Sequence, residues 1–95
     1  MLTDAERRRT STELRTNVAL SGRTPQQIGT DLGFTPEHLR ATLDVDDGAN
    51  PVDVWHLRDH LERAAQRAGA EPVTYTVLTE SARGVAQRWF TLHEA

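Results

Sequence analysis

Two histidines, His56 and His60, are four residues apart, the separation that places both rings on one face of an α-helix. Zinc can use such a pair when further ligands lie within reach. The nearest candidate, Asp59, points to another side of the same helix. We therefore expect no metal site, and we interpret both histidines as surface or core-edge residues.

The polar segment 44–50 is the second candidate for metal binding, because it contains three aspartates and Gly48. Calcium loops place their oxygen ligands at fixed alternating positions and end on a glutamate. The segment has neither feature. A solvated linker is the better interpretation.

No residue carries the signature of a catalytic nucleophile. Ser11, Ser21 and Ser81 stand outside any nucleophile motif, and there is no glycine-rich phosphate loop. The chain has no cysteine, which excludes disulfides and thiolate-bound metals. We expect a protein that is not an enzyme and that uses no cofactor.

The charge is acidic overall and unevenly distributed. All eleven basic residues are arginines, and the net charge is −3. Residues 1–43 hold six arginines and five acids, whereas residues 44–95 hold five arginines and nine acids. Any nucleic-acid face is therefore expected on the N-terminal half. We interpret the run Arg7–Arg9 as solvated surface, with a phosphate clamp as the alternative.

Length and composition predict one cytoplasmic domain over residues 1–95. The chain is 37% hydrophobic and 26% charged, which is typical of a globular protein. Its charged N-terminus has no apolar run behind it, which argues against a signal peptide. No stretch approaches the roughly 20 apolar residues that span a bilayer, so we expect no membrane association.

Capping residues predict four helices. Each predicted start has a side chain that can accept a backbone N–H: Thr3, Thr24, Thr35 and Asn50. A proline follows the last three of these caps, in the first turn where its missing N–H costs nothing. Gly22 ends the first helix, and the fourth is predicted over residues 51–68.

The C-terminal tail changes to a period of two. Val73, Tyr75 and Val77 alternate with threonines, which predicts a strand. Residues 79–84 are predicted as a turn and residues 85–92 as a returning strand. The expected fold is mainly α, with four helices and a small hairpin over residues 73–92; a short C-terminal helix is the alternative. We expect Trp55 and the tail pair Trp89–Phe90 in the core, with a dimer interface as the alternative for one of them.

Residues 24–43 meet the steric requirements of a helix-turn-helix. Gly29 lets the second helix approach, and Gly33 accepts the left-handed backbone that the tight turn needs. Apolar residues bracket both glycines: Ile28, Leu32, Phe34, Leu39 and Leu43.

The run Gln27-Ile28-Gly29-Thr30-Asp31-Leu32-Gly33-Phe34 with residues 35–43 resembles the helix-turn-helix of Cro-type phage repressors. It also resembles that of the arabinose-regulator family, where a Leu-Gly-Phe turn is common. Gly29 stands where alanine is more usual. Through the order of its parts, from residues 19–22 to Trp89–Phe90, the whole chain is similar to a family of small bacterial proteins known as a domain of unknown function. That second resemblance supports the fold and implies no chemistry.

The repressor resemblance implies that helix 36–43 enters the major groove. Arg40 would then bond a guanine, Thr35 and His38 would assist, and Glu37 could accept from cytosine although it repels phosphate. The implied base-reading candidates are Thr35, Pro36, Glu37, His38 and Arg40. The implied phosphate contacts are Arg7, Arg8, Arg9 and Arg23.

The expected function is sequence-specific binding of double-stranded DNA, as a bacterial transcription regulator. We expect a homodimer, because one weakly charged module would bind DNA feebly. The alternative is a helix-turn-helix scaffold that binds another protein, which the acidic balance favours. The charge on the exposed face of helix 36–43 distinguishes the two.

Overall fold

The computed structural model describes residues 3–46 and 49–86, without the side chains of residues 85 and 86. These ranges contain five helices and no strand. The helices are α1 (Asp4–Ser21), α2 (Pro25–Leu32), α3 (Pro36–Leu43), α4 (Pro51–Arg67) and α5 (Glu80–Ala86). A mainly helical fold is confirmed, and α4 ends one residue before its predicted limit.

The predicted caps explain where the first four helices begin. Thr3 and Thr24 each accept a backbone N–H at 3.1 Å from the residue three positions on, whose side chain accepts the cap's own N–H in return. Thr35 and Asn50 each accept a backbone N–H from the first turn of their helix. Such a cap contributes about 1 kcal/mol to the stability of a helix.

The core lies mainly between α1 and α4, which are the two long helices and pack against each other. Leu14 of α1 and Leu57 and Leu61 of α4 are fully buried there, and Ile28 brings α2 onto the same cluster. Trp55 is 5% exposed, so its predicted place in the core is confirmed. Trp89 and Phe90 lie outside the described residues.

The segment between α4 and α5 is irregular and bends at residues 76–78, so the strand predicted from Val73, Tyr75 and Val77 is absent from the described part of the chain. The predicted alternation is visible in burial, because Tyr75 is buried whereas its neighbours in the sequence are not. Side chains of α1 take the place of a partner strand. Asn17 accepts the N–H of Val73 at 2.8 Å, and Glu13 accepts the N–H of Thr76 at 3.1 Å.

The predicted turn over residues 79–84 is wrong from Glu80 onward, where α5 begins. Thr79 accepts the N–H of Ala82 at 3.1 Å and so satisfies one of the free donors at the start of this helix. Residues 85 and 86 of the predicted returning strand are the end of α5, and residues 87–92 lie outside the described residues. None of the five helices combines the length and apolar character that a bilayer crossing requires.

Candidate nucleic-acid interface

The helices α2 and α3 are joined by the three residues 33–35. Gly33 adopts φ +73° and ψ 28°, the left-handed conformation in which α2 ends. The N–H of Phe34 donates to the carbonyl of Gly29 at 2.8 Å. A Cβ on Gly29 would lie 3.0 Å from the carbonyl oxygen of Phe34, so the absence of a side chain permits this close turn. Gly33 therefore has the left-handed conformation predicted for it, whereas the group that leaves Gly29 no room for a Cβ belongs to the turn, and Leu39 of α3 is 3.9 Å away.

One side of α3 is buried and the other is open. Leu39, Thr42 and Leu43 face the core. Pro36, Glu37, Arg40 and the cap Thr35 are exposed. The guanidinium of Arg40 forms no ion pair or hydrogen bond with any residue in the described ranges. Of the predicted base-reading side chains, these four lie where a ligand could approach them.

His38 has a different position from its neighbours on α3. Its Nε2 lies 2.8 Å from Oδ2 of Asp53, in the first turn of α4, and its ring stacks on Phe34 with centroids 4.0 Å apart. The side chain is still 42% exposed. These contacts join the start of α3 to the start of α4, so His38 helps to set the angle at which α3 is presented.

The predicted phosphate contacts do not form one patch. Arg23 follows the end of α1 and pairs with Asp31 of α2 at 2.6 Å. Arg7 pairs with Asp4 in the first turn of α1. Arg8 and Arg9 are exposed beside them, and roughly 20 Å of helix separates this end of α1 from the other. Arg8 and Arg9 also border an open groove, together with Thr12, Glu13 and Thr76.

The exposed side of α3 has no excess of positive charge. Glu37, Arg40 and Asp44 follow one another along it, and Arg15 of α1 pairs with Asp44. This balance resembles neither the basic face typical of a strong DNA-binding helix nor a strongly acidic one.

Asp31 lies between Arg23 and His60. Nε2 of His60, on α4, is 3.3 Å from Oδ2 of Asp31, on α2. Burial lowers the pKa of His60, although the Asp31 carboxylate opposes this shift and Arg63 and Arg67 reinforce it. His60 thus occupies a core-edge position. In the described ranges no three His, Asp or Glu residues come together as a metal site would require.

Sequence reasoning missed two of these side chains. Asp53 is in the first turn of α4, where the helix dipole favours a carboxylate, and only the structure shows that it pairs with His38. Sequence reasoning left Arg58 unassigned, although that residue is only 5% exposed. The spacing contained a signal, because Arg58 follows Val54 by four residues and precedes Leu61 by three, which places it beside the buried stripe of α4.

Comparison with known proteins gives a family and no activity. Residues 1–91 match DUF2316, a family described as an uncharacterised protein conserved in bacteria. No curated protein matches the chain. No solved structure matches it either.

Proposed function

Because the chain belongs to the bacterial DUF2316 family, whose description states no activity, we propose its function from its own residues: it binds double-stranded DNA through α3. The observation that carries this proposal is the position of Arg40. It lies exposed on the open side of the second helix of a tight helical pair, without a carboxylate partner among the described residues.

Arg40 has the chemistry to read a base. A guanidinium donates two parallel hydrogen bonds to O6 and N7 of guanine, a contact that discriminates against a wrong base by about 1–3 kcal/mol. A carboxylate partner would compete for those donors, and Arg40 has none in the described part of the chain. Arg40 can therefore bind a ligand without breaking an ion pair to any described residue.

The neighbours of Arg40 have subsidiary roles in this proposal. The hydroxyl oxygen of Thr35 accepts the N–H of His38, which leaves its own O–H proton for a phosphate or a base edge. Pro36 is exposed beside it. Glu37 can accept from cytosine, and because it repels phosphate it contributes to sequence discrimination rather than to affinity.

Phosphate contacts come from the arginines of the N-terminal half. Arg8 and Arg9 are exposed and can turn to a phosphate directly. Arg7 and Arg23 would exchange their contacts with Asp4 and Asp31 for phosphate oxygens. The cost of that exchange is small, because exposed ion pairs contribute only about 0–1 kcal/mol.

The proposal includes a homodimer that regulates transcription in the cytoplasm. A face with one arginine and two carboxylates supports weak binding by a single module. Two modules on half-sites about 34 Å apart would double the base contacts. Most of the sequence discrimination would then come from the paired Arg40 side chains.

The test is a DNA selection followed by a titration. A random duplex library is bound to the protein at low salt, and the enriched sequence is titrated by fluorescence anisotropy. Arg40→Ala should weaken binding to this sequence by about 5-fold to 150-fold per module, the range that corresponds to 1–3 kcal/mol. Arg67→Ala is the matched control, because Arg67 is an exposed arginine at the far end of α4. Equal affinity of the Arg40→Ala and unsubstituted proteins would remove the base-reading role.

A second candidate function is the binding of another protein through the same side of α3. The observation that favours it is the charge balance there, where Glu37 and Asp44 flank Arg40. Under this alternative, the selection at low salt enriches no DNA sequence. Affinity purification would instead recover one stoichiometric protein, and Glu37→Arg would abolish its capture.

A further inference from the structure

The short helix α5 is attached to α4 by an arginine. The guanidinium of Arg83 donates to both carboxylate oxygens of Asp59, with Nη1 at 3.0 Å from Oδ2 and Nη2 at 2.5 Å from Oδ1. Its central carbon lies 4.8 Å from the centre of the Trp55 ring. A bidentate carboxylate and an aromatic face are the two groups that distinguish a guanidinium from an ammonium.

The side chains that receive Arg83 are held in place by the rest of the fold. The Asp59 side chain is only 14% exposed and also accepts Nη1 of Arg58 at 2.8 Å. Arg58 in turn donates from Nε to the carbonyl of Leu78 at 2.8 Å and lies over the Tyr75 ring at 4.7 Å. The groups that receive Arg83 thus have contacts of their own outside α5, in addition to the approach of Glu80 to Arg58.

The side chains of residues 80–84, the described ones of α5, make few other contacts with the core. Of these side chains, Ala82 is the hydrophobic one that packs there, and Ser81 is exposed. Glu80 is 3.7 Å from Arg58 and 2.9 Å from Arg83, and its side chain is 72% exposed. A seven-residue helix is too short to be stable by itself in water. Among the described side chains of α5, Arg83 makes the most extensive contacts with α4.

We propose that Trp55 and Asp59 form an arginine-binding site on α4, for which Arg83 is the internal ligand and an arginine of a partner peptide is the exchangeable one. The proposal is independent of DNA binding. Without Arg83 and Glu80, the charges beside the site among the described residues are Arg58, Asp59 and Glu62, a net negative set that attracts a cation. Arg83 holds the site because its tether to α4 gives it a high effective concentration.

The experiment opens the site and offers it an arginine. The chain has two tryptophans, and Trp89→Phe leaves Trp55 as the single one. Arg83→Gln on this background removes the internal ligand. The probe is an acetylated, amidated peptide of residues 79–86, and the control is the same peptide with Arg83→Lys. The readout is the ¹H–¹⁵N cross-peak of the Trp55 indole.

The arginine peptide should shift this cross-peak to saturation in the millimolar range, and the lysine peptide should shift it at least tenfold less effectively. Adding Asp59→Asn should abolish the shift. Equal responses to the two peptides, or an unchanged response after Asp59→Asn, would overturn the proposal.

A second measurement decides the question if the Arg83→Gln protein fails to fold. In the Trp89→Phe protein, Arg83→Lys keeps the positive charge but cannot form the bidentate contact with Asp59, so it should release α5. Quenching of Trp55 fluorescence by acrylamide should then increase, while helical ellipticity falls by no more than the seven residues of α5 contribute. Quenching equal to that of the protein with Arg83 would overturn the proposal.

Discussion

The imidazole of His38 lies 2.8 Å from the carboxylate of Asp53, so the first turn of α3 is tied to the first turn of α4. The ring of His38 also stacks on Phe34, in the turn that joins α2 to α3. One side chain therefore connects the turn, the open helix and the core scaffold.

Breaking the His38–Asp53 contact should cost little stability, since both side chains are partly exposed. We expect Asp53→Asn and His38→Gln each to lower the free energy of unfolding, with a coupling of about 0.5 kcal/mol between them. Urea unfolding of the two single variants and the double variant measures this coupling. Glu71→Gln, which removes a carboxylate from an exposed position, is the control. Strictly additive effects would show that the two groups do not interact.

Because His60 is partly buried, we predict that the free energy of unfolding is lower in acid. The pKa of this histidine is lowered from 6.5, so the unfolded chain binds a proton there more readily than the folded one. The free energy of unfolding should therefore decrease as the pH falls below about 6.5. Above that pH, the contribution of His60 to stability should be fully present. His60→Gln should flatten the decrease between pH 7.5 and 5.5 (a range chosen around the ordinary pKa of histidine, about 6.5).

The partner of His60 offers an internal check on this pH dependence. Asp31 raises the pKa of His60 against the effect of burial. Asp31→Asn should therefore move that pKa further down, as followed by the NMR shift of the His60 ring proton. A rise in the pKa after Asp31→Asn would contradict the assignment of causes.

Two glycine-to-alanine changes should have opposite effects. Gly33 has a positive φ of 73° and open space around its missing Cβ, so Gly33→Ala is unfavourable through backbone strain alone. We expect a loss of about 1 kcal/mol in the free energy of unfolding. Gly84 lies within α5 with nothing near its missing Cβ, and Gly84→Ala should increase helicity slightly. Thermal unfolding of both variants tests the pair, and a stabilised Gly33→Ala protein would refute the strain.

The salt dependence of DNA binding should identify the phosphate contacts. If Arg8 binds a phosphate, Arg8→Gln should reduce the slope of log affinity against log salt by about one, for each module, on any DNA sequence. Arg63→Gln, on α4, should leave the slope unchanged. Anisotropy titrations between 50 and 200 mM salt (a range over which such contacts change affinity strongly) provide the measurement. An unaltered slope in Arg8→Gln would exclude Arg8 as a phosphate contact.

Helix starts could be predicted from the sequence because their causes are local. Thr24 and Gln27 close a reciprocal cap within three residues, and Gly33 ends α2 by its own conformational freedom. The open side of α3 followed from the same reasoning, since Leu39 and Leu43 determine which side is buried. The position of Arg40 in the candidate site was therefore predictable.

The tail could not be predicted in the same way. The alternation of Val73, Tyr75 and Val77 wrongly predicted a strand, although it correctly indicated that Tyr75 is buried between two exposed threonines. It could not identify what satisfies the backbone, and in the structure Asn17 does so from 56 residues away. A segment bonded to a partner strand and a segment bonded to a buried asparagine would have the same alternating sequence. The alternation therefore cannot distinguish between them.

By itself, the sequence determined the first four helices, the glycine-dependent turn between α2 and α3, and the set of residues exposed on α3. Tertiary structure alone decided that His38 pairs with Asp53, that Arg58 is buried, and that Arg83 binds Trp55 and Asp59. The physical reason is the distance along the sequence over which each interaction acts. Caps and left-handed turns act between residues a few positions apart, whereas the partner of a charged side chain depends on which distant helices pack together.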